Sequence, residues 1–204
     1  MWEVFSFINP IGNHCLKTEQ TIIEFANKHN IKAHFRFIAL SSFQTVNNYI
    51  QNNNFDIHNI DLRNEITQKT YRTTLLYKAA TLQGNKKARA FLMSMQNALN
   101  VDNKEFNNQL AYDISQEVGL NWEALEKDSH SDLILKQCFA DQQRASELGV
   151  SSTPSTIIYD YSKPCDESGV FIDRCSIDDL DSLMDNLVKS DQIAAQTPDL
   201  HIVE

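Results

Sequence analysis

From Asp61 to Leu148 the chain has no proline and only two glycines, Gly84 and Gly119, and this long stretch constrains the fold more than any other feature. Proline breaks helix interiors and glycine commonly ends helices, so a segment nearly free of both is expected to be almost entirely helical. Helices are expected at about 63–82, ended by Gly84-Asn85; at 86–99; at 103–118, ended by Gly119; and at 130–148, ended by Gly149. A short helical turn is expected over 121–128.

Both flanks of this block carry a different period. Residues 2–8, WEVFSFI, are rich in β-branched and aromatic types and read as a strand that stops at Asn9-Pro10. From Asn13 the positions Cys15, Ile22 and Ala26, with Leu16 and Ile23, mark one face of a helix capped by Asn13 or Gly12 and ending near His29-Asn30. Residues 31–40 alternate Ile31, Ala33, Phe35 and Phe37 against Lys32, His34 and Arg36, a half-buried strand. A polar stretch with Asn47, Asn48, Asn52 and Asn53 leads into the helical block. Beyond it, 155–161 and 169–174 read as a hairpin around the turn KPCDESG, and 176–189 as a closing helix. The order βαβ, helices, ββα describes an α/β protein with a mixed sheet and an inserted all-helical subdomain. The expected division is 1–60 with 149–190 for the sheet-bearing domain, 61–148 for the insertion and 191–204 for a loose tail.

Charge and cysteine usage narrow the function classes. Twenty-seven acidic against eighteen basic residues give a net charge of −9, which repels nucleic-acid phosphates and anionic lipid, so neither is an expected partner. Mean hydropathy is −0.40, and no apolar run approaches the ~18 residues of a membrane span. The start, Met1-Trp2-Glu3-Val4-Phe5, lacks a basic region and a small-residue cleavage site. Four cysteines, Cys15, Cys138, Cys165 and Cys175, are too few and too scattered for a disulfide scaffold or a zinc site, so no metal and no cofactor are expected and a reducing, cytoplasmic setting is. There is no glycine-rich phosphate loop, no His-Glu-x-x-His and no Gly-x-Ser-x-Gly.

Two segments carry chemistry: Asn9-Pro10-Ile11-Gly12-Asn13-His14-Cys15 at the first helix start, and Gly149-Val150-Ser151-Ser152-Thr153-Pro154-Ser155 before the third strand. Together they resemble the DsbA-like branch of the thioredoxin superfamily, which carries Asp-Pro-x-Cys-x-x-Cys at the first place and Val-x-x-Thr-Pro at the second. Ala79-Ala80-Thr81-Leu82-Gln83-Gly84, Gly119-Leu120 and the run from Asp141 to Val150 look like that family's insertion, so the resemblance reaches to about residue 189. It implies a thioredoxin fold, a cis bond at Thr153-Pro154, and a helix N-terminus that favours thiolate. It also implies that a protein client, or a small thiol or disulfide, meets the chain at the cis-proline face.

The chain departs from the family at the motif itself. Aligning Asn9-Pro10 with Asp-Pro puts Gly12 where the nucleophilic cysteine stands and Cys15 where the resolving one stands, and a register shifted toward Asn9-Pro10 removes the first cysteine as well. The candidate site is therefore Cys15 as the one catalytic thiol, with Gly12, Asn13, His14, Thr153 and Pro154 as motif positions. Cys15 is either a monothiol whose thiolate a protonated His14 favours, or a small buried core residue. Cys175, on the edge to which the last strand returns, is a candidate resolving partner; Cys138 reads as packing, and a Cys165–Cys175 bridge is disfavoured by a separation of most of a strand. Lys86, Lys87 and Arg89 form a basic helix start that either meets an acidic partner or is simply solvated, while Phe91, Leu92, Met95, Trp122 and Leu125 read as core.

Three functions follow from the resemblance. The first is a DsbA-like thiol–disulfide oxidoreductase or disulfide isomerase reduced to a monothiol at Cys15. The second is a non-catalytic adaptor akin to the YjbH-type adaptors that deliver Spx to the ClpXP protease. The third is a glutathione-dependent isomerase or transferase, for which Ser6 and Ser41 are poorly placed.

Overall fold

A computed structural model describes residues 1–161, 169–173 and 175–196. Strand β1 (Trp2–Ile8), helix α1 (Asn13–Lys28) and strand β2 (Ala33–Ala39) open the fold. Helices α2 (Phe43–Asn52), α3 (Ile60–Thr81), α4 (Asn85–Asn100), α5 (Asn108–Glu117), α6 (Trp122–Ser129) and α7 (Asp132–Glu147) follow. Strands β3 (Ser155–Asp160) and β4 (Gly169–Asp173) and helix α8 (Ile177–Gln196) close it. The sheet runs β2-β1-β3-β4, with β1 parallel to β2 and antiparallel to β3, and β3 antiparallel to β4. This is the mixed sheet expected from the two flanks.

Alternation along β1 decides which helices cover which face. Trp2 and Val4 join Ile22 and Phe25 of α1, Ile158 of β3, and Leu180 and Met184 of α8 in one buried cluster. Phe7 points the other way, into a cluster with Ile38, Ala145 of α7 and Ile157. The insertion is not a separate ball: Ile8, Cys15, Phe37 and Ala39 share one cluster with Leu76, Phe91, Leu92, Met95, Leu125 and Cys138. Phe91, Leu92 and Met95 are fully buried there, each contributing roughly 1.5–3 kcal/mol by area.

Helix ends are set by short-range chemistry. Ser42, Asn59, Asn107, Asn121 and Ser131 each accept a hydrogen bond from a backbone N–H three residues on, so α2, α3, α5, α6 and α7 all start on a side-chain cap. Gly119 and Gly149, both at φ +72°, end α5 and α7. The N–H of the residue after each glycine reaches back to Ser115 (2.8 Å) and Ala145 (2.9 Å), which absorbs carbonyls the helix leaves unpaired.

Several boundaries differ from those read in the sequence. The Asn-rich stretch, read from sequence only as polar, contains α2, because Val46 and Ile50, one turn apart, bury against Ile11 and Ile66 while the amides face out. Helix α5 begins at Asn108 and not at 103, since the Asn107 cap fixes the start. The turn over 121–128 is a full helix, α6, and α3 starts at Ile60, on the Asn59 cap. Helix α8 runs on to Gln196, past Asp191 where a loose tail was expected. The hairpin turn with Cys165, and residues 197–204, lie outside the described residues.

Candidate functional site

The site is built where β1 ends against the start of α1. Asn9 organises the turn: its Oδ1 accepts from the Ile11 N–H at 3.0 Å and its carbonyl accepts from the Gly12 N–H at 3.0 Å. Gly12 is the N-cap of α1, with no side-chain cap bond. Asn13 and His14 are exposed on the first turn, while Cys15 faces inward and is 2% exposed. The Thr153–Pro154 bond is cis, Pro154 is buried and Thr153 half-buried beside Cys15. The loop is held from two sides: Ser155 Oγ donates to Asp173 at 2.6 Å, Ser152 also donates to Asp173, and Asn48 Nδ2 donates to the Ser151 carbonyl at 3.2 Å.

Cys15 sits at a helix N-terminus, which favours thiolate, yet burial wins. Its Sγ accepts from the Asn9 N–H at 3.3 Å, and the thiol is pushed up to about 12, first by burial and then by the Glu19 carboxylate, against smaller lowering from Asn9 and Thr153. Glu19, one turn further along α1, is fully buried; burial lifts it to about 8 against the bond that Gln96 Nε2 donates to its Oε1 at 3.0 Å. Glu19 Oε2, Gln96 Oε1 and Asn9 Nδ2 have no hydrogen-bond partner, so the base of the site is polar, enclosed and under-satisfied.

Above this base lies an open groove. His14 and Thr153 border it together with Asn52 of α2, and it continues past Pro154 and Ser152 to Gln44, Asn48 and Gln51. The structure thus brings Gly12, Asn13, His14, Cys15 and Thr153 around one cavity, with Pro154 in its extension. Cys138 is buried in the core, its thiol raised to about 11 by burial. Cys175 is half-buried against the Trp2 and Val4 cluster, whereas Cys15 belongs to the cluster of the insertion. Cys15, Cys138 and Cys175 are all free thiols. Sequence reasoning did not single out Glu19, Gln96 or the amide wall of α2. Glu19 stood in view as a carboxylate four residues after Cys15 on the apolar face of α1.

A mixed four-stranded sheet, a helix opening beside a cis-proline loop, and a helical block inserted between β2 and β3 define a thioredoxin-fold protein of the DsbA-like kind. The sequence profile described as thioredoxin matches residues 5–180, and the chain belongs to that family. Oxidoreductase DsbA from Xylella fastidiosa superposes with a TM-score of 0.61 at 12% identity, covering 94% of this chain and 87% of that one. The cytosolic disulfide reductase DsbM from Pseudomonas aeruginosa superposes at 0.59 and 13% identity, covering 92% and 98%. These likenesses establish the fold. In sequence, the ClpXP adapter protein SpxH of Bacillus subtilis is 24% identical over 173 residues, 77% of this chain and 58% of that protein. The chain thus spans a little over half the length of the curated relatives it matches. No helix among the described residues is long and apolar enough to cross a membrane.

Proposed function

We propose that this chain is a non-catalytic, adaptor-type binding module of the thioredoxin fold, holding a protein client in the groove between α1, α2 and the Thr153–Pro154 loop. The observation that carries this reading is the state of Cys15: buried, hydrogen-bonded and lifted to about 12, beside Gly12 where exchange needs a second sulfur. A groove edged by His14, Gln44, Asn48, Gln51 and Asn52 offers side-chain donors and acceptors to a polypeptide and no accessible thiol from Cys15. The likeness to a ClpXP adapter supports a client destined for that protease, and cytoplasmic residence accords with three free cysteines. A monothiol or glutathione-dependent activity would need Cys15 to open to solvent.

The test pairs turnover with delivery. Reduction of a disulfide substrate such as insulin is expected to be at background for wild type and unchanged in Cys15→Ser. Binding to a purified ClpXP client such as Spx is expected to survive Cys15→Ser and to fall in His14→Ala/Asn52→Ala. Turnover that disappears with Cys15→Ser would overturn the reading.

A further inference from the structure

The sheet edge remote from β4 carries a second feature that the client groove does not use. A cavity of about 170 Å³ lies between β2, α3, α4 and α7, and shares no lining residue with that groove. Four cations line it, Arg36, Lys78, Arg89 and Arg144, against the single carboxylate of Asp141, in a chain whose net charge is −9. Two of the four are already paired: Lys78 with Asp141 at 2.5 Å and Arg36 with Glu3 at 2.8 Å. Arg89 and Arg144 have no carboxylate partner among the described residues. The Arg89 guanidinium is braced over the Phe35 ring at 5.3 Å, which leaves its in-plane N–H groups available to an oxyanion.

The backbone beside these arginines says which oxyanion source fits. The Lys32 carbonyl accepts from Trp2 and the Leu40 N–H donates to Ile8, both at 2.9 Å, so along β2 the even-numbered residues pair with β1 and the odd-numbered ones face away. Of the outward groups, the Phe37 carbonyl is taken by the Tyr77 hydroxyl at 2.8 Å, whereas the Phe35 N–H and carbonyl face the open edge with no strand beyond them. An open strand edge pairs with extended polypeptide, and guanidinium forks pair with carboxylates.

We propose that this pocket docks an extended acidic segment of a partner protein, its backbone meeting β2 at Phe35 and its carboxylates meeting Arg89 and Arg144. The site is independent of the groove at Thr153–Pro154 and stands whether or not that groove holds a client. Lys86, exposed at the start of α4 one turn before Arg89, adds positive charge beside the pocket, whereas Lys87 turns away to donate to the Gly119 carbonyl.

The experiment is fluorescence anisotropy with a labelled peptide of alternating Glu and Val, and a Gln–Val peptide as the uncharged probe. The Glu–Val peptide is expected to bind saturably and the Gln–Val peptide not. Arg89→Gln/Arg144→Gln is expected to weaken binding about tenfold or more, while Lys127→Gln/Lys136→Gln, removing equal charge from exposed positions elsewhere, changes it by less than about twofold. Circular-dichroism melts check that both variants fold, and in wild type the Phe35 amide is expected to exchange more slowly with peptide bound. Equal weakening by both charge variants, no binding, or occupation by inorganic phosphate without peptide binding would each overturn the proposal.

Discussion

A β-carbon built on Gly12 lies 3.2 Å from Cys15 Sγ, with Asn9 atoms at 3.4 Å. An S–S bond of about 2.05 Å holds each sulfur about 3 Å from the opposite β-carbon, so the site keeps the geometry of the pair it lacks. Gly12 has φ −85° and ψ 126°, a backbone any residue adopts. Gly12→Cys is therefore expected to form a disulfide with Cys15 on mild oxidation, read as the loss of two hydrogens by intact mass and as new insulin-reducing activity. A variant that stays a dithiol under oxidant would show that the two positions do not meet. Glu19 gives a second prediction. Its carboxyl rises from about 4.5 to about 8 on folding, so between those values the unfolded chain is ionised while the native chain holds the proton. The contribution of Glu19 to stability is full below about pH 4.5 and is lost as pH rises toward 8, by at most about 1.4 kcal/mol per pH unit. Glu19→Gln is expected to flatten that slope in urea titrations at pH 5 to 8; an unchanged slope would remove Glu19 as its source. The motif made Gly12 and Cys15 readable from sequence. The Gln96–Glu19 bond was not, because its partners lie 77 positions apart and only packing of α4 on α1 brings them together.

Among the elements, strands and long helices were the most readable, because their periods are carried by apolar residues. WEVFSFI and the alternation from Ala33 to Phe37 mark strands, and glycines after α5 and α7 mark stops. Helix α2 was hidden because amides crowd its sequence, and its inward face is only Thr45, Val46 and Ile50, with Tyr49 half-buried beside them. Val46 and Ile50 are buried with Ile11 and Ile66, which seats the helix as one wall of the groove. Ile50→Ala is expected to cost about 2–5 kcal/mol in denaturant unfolding, the range for a fully buried aliphatic side chain. A cost within about 0.5 kcal/mol would mean that α2 is a surface helix with no role in shaping the groove.

For the whole molecule, the insertion and the sheet share a core, in that Ile8, Cys15 and Phe37 pack in one cluster with Leu92 and Leu125. Composition and pattern could place a helical block between β2 and β3, but not say that its core runs through the site. Unfolding is expected to be a single cooperative transition, with Leu92→Ala lowering it as a unit by about 2–5 kcal/mol. Two separate transitions by near- and far-ultraviolet circular dichroism would divide the chain into independent parts. Enclosure of Cys15 within that shared core is the reason for reading the protein as a binder and not an exchanger of disulfides. A thiol at about 12 in place of 9 carries roughly a thousandfold less thiolate at neutral pH, before any shielding by burial. The most direct measurement is iodoacetamide labelling of the native protein followed by peptide mapping at Cys15. Cys15 is expected to stay unmodified until denaturant unfolds the chain; rapid native labelling there, faster than at Cys138, would contradict the account.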